Sequence, residues 1–207
     1  MKRLAVLGAG GHAKVVSDAA LLAGWDQVNL FADGAPVGED QHVRWPILGD
    51  SKDLLLCHGD FEGVLVAIGD CEVRLAKHRL LLEAGARLTS VVHPRAWVSP
   101  YATLGVGSVL MAGAVVNVDA TVGEACILNT GSTIDHDCWL GDAVHIAPGA
   151  HLSGNVTIGE RSWIGIGATV KHGIRVGCGV TVGAGAVVVS HVDDGVTVMG
   201  VPARVRV

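Results

Sequence analysis

Residues 128–170 read LNTGSTIDHDCWLGDAVHIAPGAHLSGNVTIGERSWIGIGATV. An aliphatic side chain returns in this stretch at every sixth position: Leu128, Ile134, Leu140, Ile146, Leu152, Ile158, Ile164 and Val170. The same beat runs back through Val122, Val116, Leu110 and Leu104 to Val98, and forward through Val176 and Val182 to Val188. Two residues ahead of each stands a second register of small or apolar residues, among them Ala114, Ala120, Cys126, Ser132, Cys138, Val144, Ala150 and Val156. Helical periodicity cannot hold a repeat of six. Short strands with alternating side chains that turn at every sixth residue do, and this is the hexapeptide signature of a parallel β-helix. Glycine follows the aliphatic position at Gly105, Gly123, Gly141, Gly159 and Gly177, spaced by eighteen. One coil therefore takes three hexapeptides, and the cross-section is a triangle.

The composition suits such a solenoid. In 207 residues, 50% are hydrophobic, 17% charged and 4% aromatic, which predicts an aliphatic, finely packed interior with room for one or two domains. A formal net charge of −5 with scattered Lys and Arg gives no basic stripe, so nucleic acid is not an expected partner. Five Cys at no paired spacing read as reduced thiols and predict a cytoplasmic location. The stretch 98–118 carries no charge and is long enough to cross a bilayer. Its prolines and glycines, and its unbroken period, argue against membrane insertion. The opening MKRLAVLGAGGH has basic residues but too short an apolar run for a signal peptide.

Ahead of the repeats the pattern changes. Arg3 to Leu7 reads as a buried strand, Gly8-Ala9-Gly10-Gly11 as a turn, and His12 to Ala23 as a helix. Exposed amides at a helix N-terminus favour anions, and glycine lets a phosphate approach the backbone. A second strand, Val28 to Ala32, ends at Asp33, about where dinucleotide folds place an acid near a ribose. Ala13 occupies the third glycine position, and some ninety residues are too few for a full dinucleotide domain, so the loop alone is weak evidence for NAD. A polar segment from Gly34 to Trp45, a short helix at Ser51 to Cys57 and a strand Gly63 to Ile68 follow. A helix from Cys71 to Ala84, with Val73, Ala76, Leu80 and Ala84 on one face, and a strand Leu88 to Val92 complete the series. Alternating strand and helix predict a small Rossmann-like parallel α/β domain at 1–94, with the β-helix occupying 95–207.

Inside the solenoid both inward registers are explained by packing, so chemistry must lie in residues that packing does not require. His136, His145, His151 and His172 gather imidazoles in the middle coils, and His136 sits in the string Asp135-His136-Asp137-Cys138. Val118 and Gly154 lie one coil to either side of His136, so the repeat predicts a pocket over Gly154. The competing reading is a polar wall facing water. His136 and His172 are also two coils apart, a spacing that resembles two zinc ligands of the carbonic anhydrases built on this architecture. The third ligand would fall at Gly177, so no metal is expected.

These residues carry a family resemblance. LGAGGHAKVV, FADG, VAIGD, VVHPRAWVSP, VVNVDATVG, the string 128–170 and the ending GVPARV resemble bacterial hexapeptide-repeat sugar acetyltransferases. This family comprises N-acetyltransferases of nucleotide-linked 4-amino sugars and relatives assigned as sialic acid O-acetyltransferases. The resemblance implies a left-handed β-helix, a homotrimer with active sites between neighbouring prisms, and acetyl-CoA as co-substrate. It implies His136 as catalytic base with Asp137 beside it, in a position where relatives often carry Glu. Adjacent strand residues point to opposite faces, so Asp137 reaches His136 only if the backbone turns there or another chain intervenes. His145 matches a residue near the acetyl-CoA thioester, and Gly154, Ile166 and Ala184 fall where the pantetheine arm lies. Asn117 and Asn129 match asparagines near the sugar site, and an equally good reading makes them turn residues. Gly8, Gly10, Gly11, His12, Lys14, Asp33 and Gly69 match the nucleotide site of the sugar donor.

The function implied is acetyl-CoA-dependent N-acetylation of a UDP- or GDP-linked 4-amino-4,6-dideoxy sugar for surface glycan synthesis. Direct transfer with a histidine base needs no acyl-enzyme, and Cys138 reads as packing. His145 or backbone amides are the expected donors to the thioester oxygen. The rival readings are a sugar O-acetyltransferase and a non-enzymatic trimeric scaffold.

Overall fold

The computed structural model describes residues 1–34, 38 and 44–206, and the chain divides into two compact units, Met1–Pro94 and Arg95–Val207. In the first, β1 (Arg3–Leu7), β2 (Gln27–Phe31), β3 (Ile47–Gly49) and β4 (Gly63–Val66) form a parallel sheet in the order β3-β2-β1-β4. Helices α1 (Gly11–Leu22), α2 (Ser51–Cys57) and α3 (Cys71–Glu83) connect the strands, and a short strand β5 (Val91–Val92) follows. The run Leu4-Ala5-Val6-Leu7 is buried throughout, as a parallel strand covered on both faces requires. Helix α2 opens with a capping box in which Asp50 and Asp53 each accept the other's backbone N–H.

Four points differ from the sequence reading. The strand at 63–68 ends at Val66; the Ala67 N–H still donates to the Leu7 carbonyl at 2.8 Å, and Ala67, Ile68 and Gly69 line a cavity. The last strand pairs only at Val91–Val92, with Leu88 forming an isolated parallel bridge to Val64. Strand β3 was not anticipated; it follows the polar segment at 34–45, most of which lies outside the described residues. The α3 face that carries Val73, Ala76, Leu80 and Ala84 is the outer one: these residues are exposed, while Cys71, Arg74, Leu75, His78 and Leu81 are buried. The reason is Arg74. Its Nη1 donates to the carbonyls of Ile68 (2.9 Å) and Gly69 (2.7 Å), which lets a guanidinium occupy the core stripe that an apolar count leaves to Leu and Val.

The second unit is a parallel β-helix. Two-residue strands stack into three sheets, entered in turn. One contains Trp97–Val98, Val115–Val116, Thr133–Ile134, His151–Leu152, Thr169–Val170 and Val187–Val188. The next contains Thr103–Leu104, Thr121–Val122, Trp139–Leu140, Thr157–Ile158 and Arg175–Val176. The third includes Val109–Leu110, Ile127–Leu128, His145–Ile146, Trp163–Ile164 and Thr181–Val182. The sixfold aliphatic register fills the axis, with Leu110, Leu128, Ile134, Leu140, Ile146, Ile158 and Ile164 at zero exposure. Cys126 and Cys138 occupy the small register and donate Sγ–H to the carbonyls of Gly141 and Ser153, both at 3.2 Å. The glycines spaced by eighteen answer to the tight approach of coils. A Cβ on Gly123 would lie 2.7 Å from the carbonyl carbon of Gly141, and one on Gly141 2.7 Å from the amide nitrogen of Glu160.

Candidate active site

His136 stands at a corner of the prism, between Thr133–Ile134 on one sheet and Trp139–Leu140 on the next. The corner turns through a left-handed residue in successive coils, at Asp119 (φ 60°), Asp137 (φ 59°), Asn155 (φ 57°) and Gly173 (φ 69°). Asp, Asn and Gly are the residues that enter that region at least cost. Here the left-handed turn breaks strand alternation and swings the Asp137 carboxylate alongside its neighbour. Asp137 Oδ2 lies 2.7 Å from His136 Nδ1 within one chain. Aspartate is therefore long enough, and no second chain is needed for this contact. Asp135 Oδ1 steadies the same corner, accepting the His136 backbone N–H at 2.8 Å and the Asn117 Nδ2–H at 3.0 Å.

The His136 ring is more than half exposed, and its pKa is raised, foremost by the hydrogen bond to Asp137; desolvation opposes the rise, and the Asp135 and Asp137 charges add to it. With Nδ1–H donated to Asp137, Nε2 carries the free lone pair of the neutral ring. The opening expected over Gly154 is filled by the imidazole itself: a Cβ there would fall 2.5 Å from both Cε1 and Nε2.

His145 belongs to a different place. It is 5% exposed, on the third sheet, and its Nε2 lies 3.2 Å from Asn129 Nδ2. Asn129 Oδ1 accepts the Thr130 N–H at 2.9 Å, which fixes the amide orientation. Nδ2 is then the donor of this contact and His145 Nε2 its acceptor. Trp163, one coil on in the same register, packs on the imidazole with ring centroids 4.0 Å apart. Ile166 and Ala184 are exposed and stacked at the corner after this sheet, where the Gly185 N–H donates to the Ile166 carbonyl at 2.8 Å.

The expected residues thus sort into two groups. His136, Asp137, Asn117 and Gly154 share one corner, whereas His145, Asn129, Ile166 and Ala184 line the opposite face and its edge. Nine residues, half a coil, separate the two histidines. At about 3.3 Å of rise per residue along each side, a triangular prism holds them on the order of 15 Å apart. Neither asparagine is in the left-handed region; Asn117 hydrogen-bonds Asp135, the neighbour of His136, and Asn129 lies in hydrogen-bond contact with His145.

In the first unit, Gly8, Gly10, Gly11, His12, Asp33 and Gly69 line one cavity of about 450 Å³ with Leu7, Ala9, Ala32, Ala67 and Ile68. Gly8 has φ 134°, and a Cβ there would meet the Ala67 carbonyl oxygen at 2.6 Å, so its role is the close approach of two strand ends. Gly10 and Gly11 have open space where a side chain would go, at the N-terminus of the twelve-residue α1. Burial, then the Arg74 charge, lowers the His12 pKa to about 4, so its ring is neutral at pH 7. Asp33 does not stand free for a ribose: its Oδ1 accepts the Ser51 N–H and its Oδ2 the Lys77 ammonium, both at 2.9 Å. These bonds hold its pKa near 2, the Lys77 bond foremost. Lys14 lies elsewhere, along a groove with Val15, Asp18, Leu21, Arg44 and Trp45.

Sequence reasoning missed Lys77, Arg74 and Trp163. Trp163 was legible, since it follows His145 by eighteen residues; the other two depend on how α3 faces the sheet. Burial raises the Cys138 pKa, which keeps that thiol protonated and poorly nucleophilic. Among the described residues no group of three His, Cys, Asp or Glu is placed to hold a metal, and no helix is long and apolar enough to cross a membrane.

A hexapeptide β-helix that follows a small parallel α/β unit and carries a carboxylate-steadied histidine on a prism corner defines an acyltransferase-like class of protein. Comparison with known proteins narrows it. The family described as the PglD N-terminal domain matches residues 3–81. The acetyltransferase domain of PglB from Neisseria gonorrhoeae, solved with acetyl coenzyme A, superposes with a TM-score of 0.94 at 42% identity, covering 99% of both chains. GDP-perosamine N-acetyltransferase (PerB) from Caulobacter crescentus, solved with CoA and GDP-perosamine, gives a TM-score of 0.92 at 37% identity over 99% of this chain and 97% of that one. WeeI from Acinetobacter baumannii gives 0.88 at 30% identity over the full length of both. No curated protein sequence matches. The chain belongs to the sugar acetyltransferase family that includes PglB and PerB.

Proposed function

We propose that this protein is an acetyl-CoA-dependent N-acetyltransferase acting on the amine of a nucleotide-linked 4-amino-4,6-dideoxy sugar, with His136 as general base. The observation that carries the reading is full-length likeness, at 37% identity, to an enzyme that N-acetylates GDP-perosamine, joined to a histidine whose Nδ1 is tied to a carboxylate 2.7 Å away. Acetyl-CoA supplies an activated acetyl group as its thioester. The amine attacks the thioester carbonyl, His136 Nε2 takes the ammonium proton, and the C–S bond breaks to release CoA. Asp137 holds the ring orientation and stabilises the imidazolium that forms. Residues 1–94 bind the nucleotide sugar, its diphosphate on the amides of Gly10 and Gly11, and 95–207 carry the transfer.

The assembly follows from the same reading. His136 and His145 face opposite sides of one prism, so they serve one reaction only if a second copy brings its His145 side to the His136 corner. A cytoplasmic homotrimer satisfies that requirement for every copy. Light scattering at micromolar concentration is expected to give a trimer, and a stable monomer would remove the shared site. Thermal shift with UDP, GDP, CMP and dTDP nucleotides identifies the carrier. Release of CoA with nucleotide 4-amino sugars but not with sialic acid is the expected outcome, and turnover of sialic acid alone would favour O-acetylation. His136→Asn preserves volume but cannot take the proton, and should lower kcat by about 10² to 10⁴. A trimeric variant that keeps more than about a tenth of wild-type kcat would place the base elsewhere.

A further inference from the structure

Gly154 has no backbone reason to be glycine. Its φ lies outside the left-handed region, unlike that of Gly173 or Gly149. It stands two residues after Leu152, in a column that runs through Pro100, Val118, His136, His172 and Ser190. Every other member of that column carries a side chain, so the coil tolerates one at this place. Nor does a neighbouring coil crowd it with backbone, as happens at Gly123 and Gly141. The three nearest heavy atoms to a Cβ built on Gly154 all belong to the His136 imidazole: Cε1 and Nε2 at 2.5 Å and Cδ2 at 3.1 Å.

We propose that Gly154 is a positioning residue: its bare Cα is the seat on which the His136 ring rests, holding Nε2 in line while Asp137 grips Nδ1. The proposal rests on His136 being the base. The imidazole is the mobile end of an exposed side chain, so a methyl group at 154 pushes it aside without disturbing the coil. To leave 2.5 Å for an ordinary contact the ring must move by about 1 Å, a misplacement that can cost about 10²-fold in rate. The Nδ1 bond to Asp137 at 2.7 Å must tilt or break in the same movement.

Gly154→Ala is therefore expected to keep the wild-type melting temperature and oligomeric state and to lose about 10- to 100-fold in kcat. The separating measurement is a double-mutant cycle with His136→Asn, reading CoA thiol release at saturating substrates. If Gly154 acts through the ring, adding Gly154→Ala to His136→Asn should change kcat less than about twofold. An equal loss in both backgrounds, or a rise in acetyl-CoA KM with kcat unchanged, would assign Gly154 to the co-substrate and overturn the proposal while leaving His136 in place. A fully active His136→Asn would remove the base and the seat together. A fall in melting temperature that accounts for the lost activity of Gly154→Ala would make the residue structural only.

Discussion

Replacing Asp137 by Asn isolates the carboxylate from everything else at the corner. Position 137 has φ 59°, a region that Asn enters readily, so the turn survives. The side chain keeps its size and loses only its charge and its certainty as an acceptor. In the wild type the carboxylate accepts Nδ1–H at 2.7 Å, which leaves the Nε2 lone pair free, as the proposed base requires. An amide can instead present N–H, which selects the wrong tautomer. Loss of a comparable carboxylate in a buried triad costs about 10⁴ in kcat. Here both side chains are more than half exposed, and water competes for the same bond, so a smaller loss, about 10- to 100-fold, is expected. The charge also sets the pH dependence. Asp137 raises the His136 pKa, and a base works only when neutral, so activity falls as pH drops through that raised value. In Asp137→Asn the first cause of the shift is gone, and the acid limb of kcat/KM must move to lower pH, leaving a smaller activity deficit on the acid side than at neutrality. Initial rates of CoA release between pH 5 and 9, at about tenfold below KM for the sugar, read both effects. A limb that stays put, or moves upward, would refute the reasoning.

Other outcomes follow from the same geometry. Gly10→Leu fills the cavity at the start of α1, where a Cβ meets nothing within 4 Å. It should raise the sugar-nucleotide KM and leave acetyl-CoA KM unchanged, and an unchanged sugar KM would take the first unit out of the substrate site. His145→Ala removes the ring held between Asn129 and Trp163, and should weaken acetyl-CoA binding, measured by calorimetry, as well as turnover. Ile146→Ala opens a cavity at a fully buried axial position, and should cost about 2–5 kcal/mol in denaturant unfolding. A loss below about 1 kcal/mol would mean that the axis repacks.

The repeat of six determined the β-helix, because only short strands turning at fixed intervals place every sixth side chain on one axis. It also determined which residues stack: Trp163 over His145, and Gly154 beside His136, follow from counting eighteen. The glycine turn before α1 located a cavity in which six of the seven expected nucleotide residues meet. The tertiary structure decided the rest. Whether Asp137 could reach His136 depended on one backbone dihedral, and Asp serves a turn or a catalytic corner equally well in a string of letters. That Asp33 is already held by Ser51 and Lys77, and that α3 buries Arg74 and His78 while exposing Leu80, depends on which polar groups find partners across the fold. A sequence records which residues are apolar. It does not record which polar ones will be satisfied inside, and that accounting is completed only when distant segments pack together.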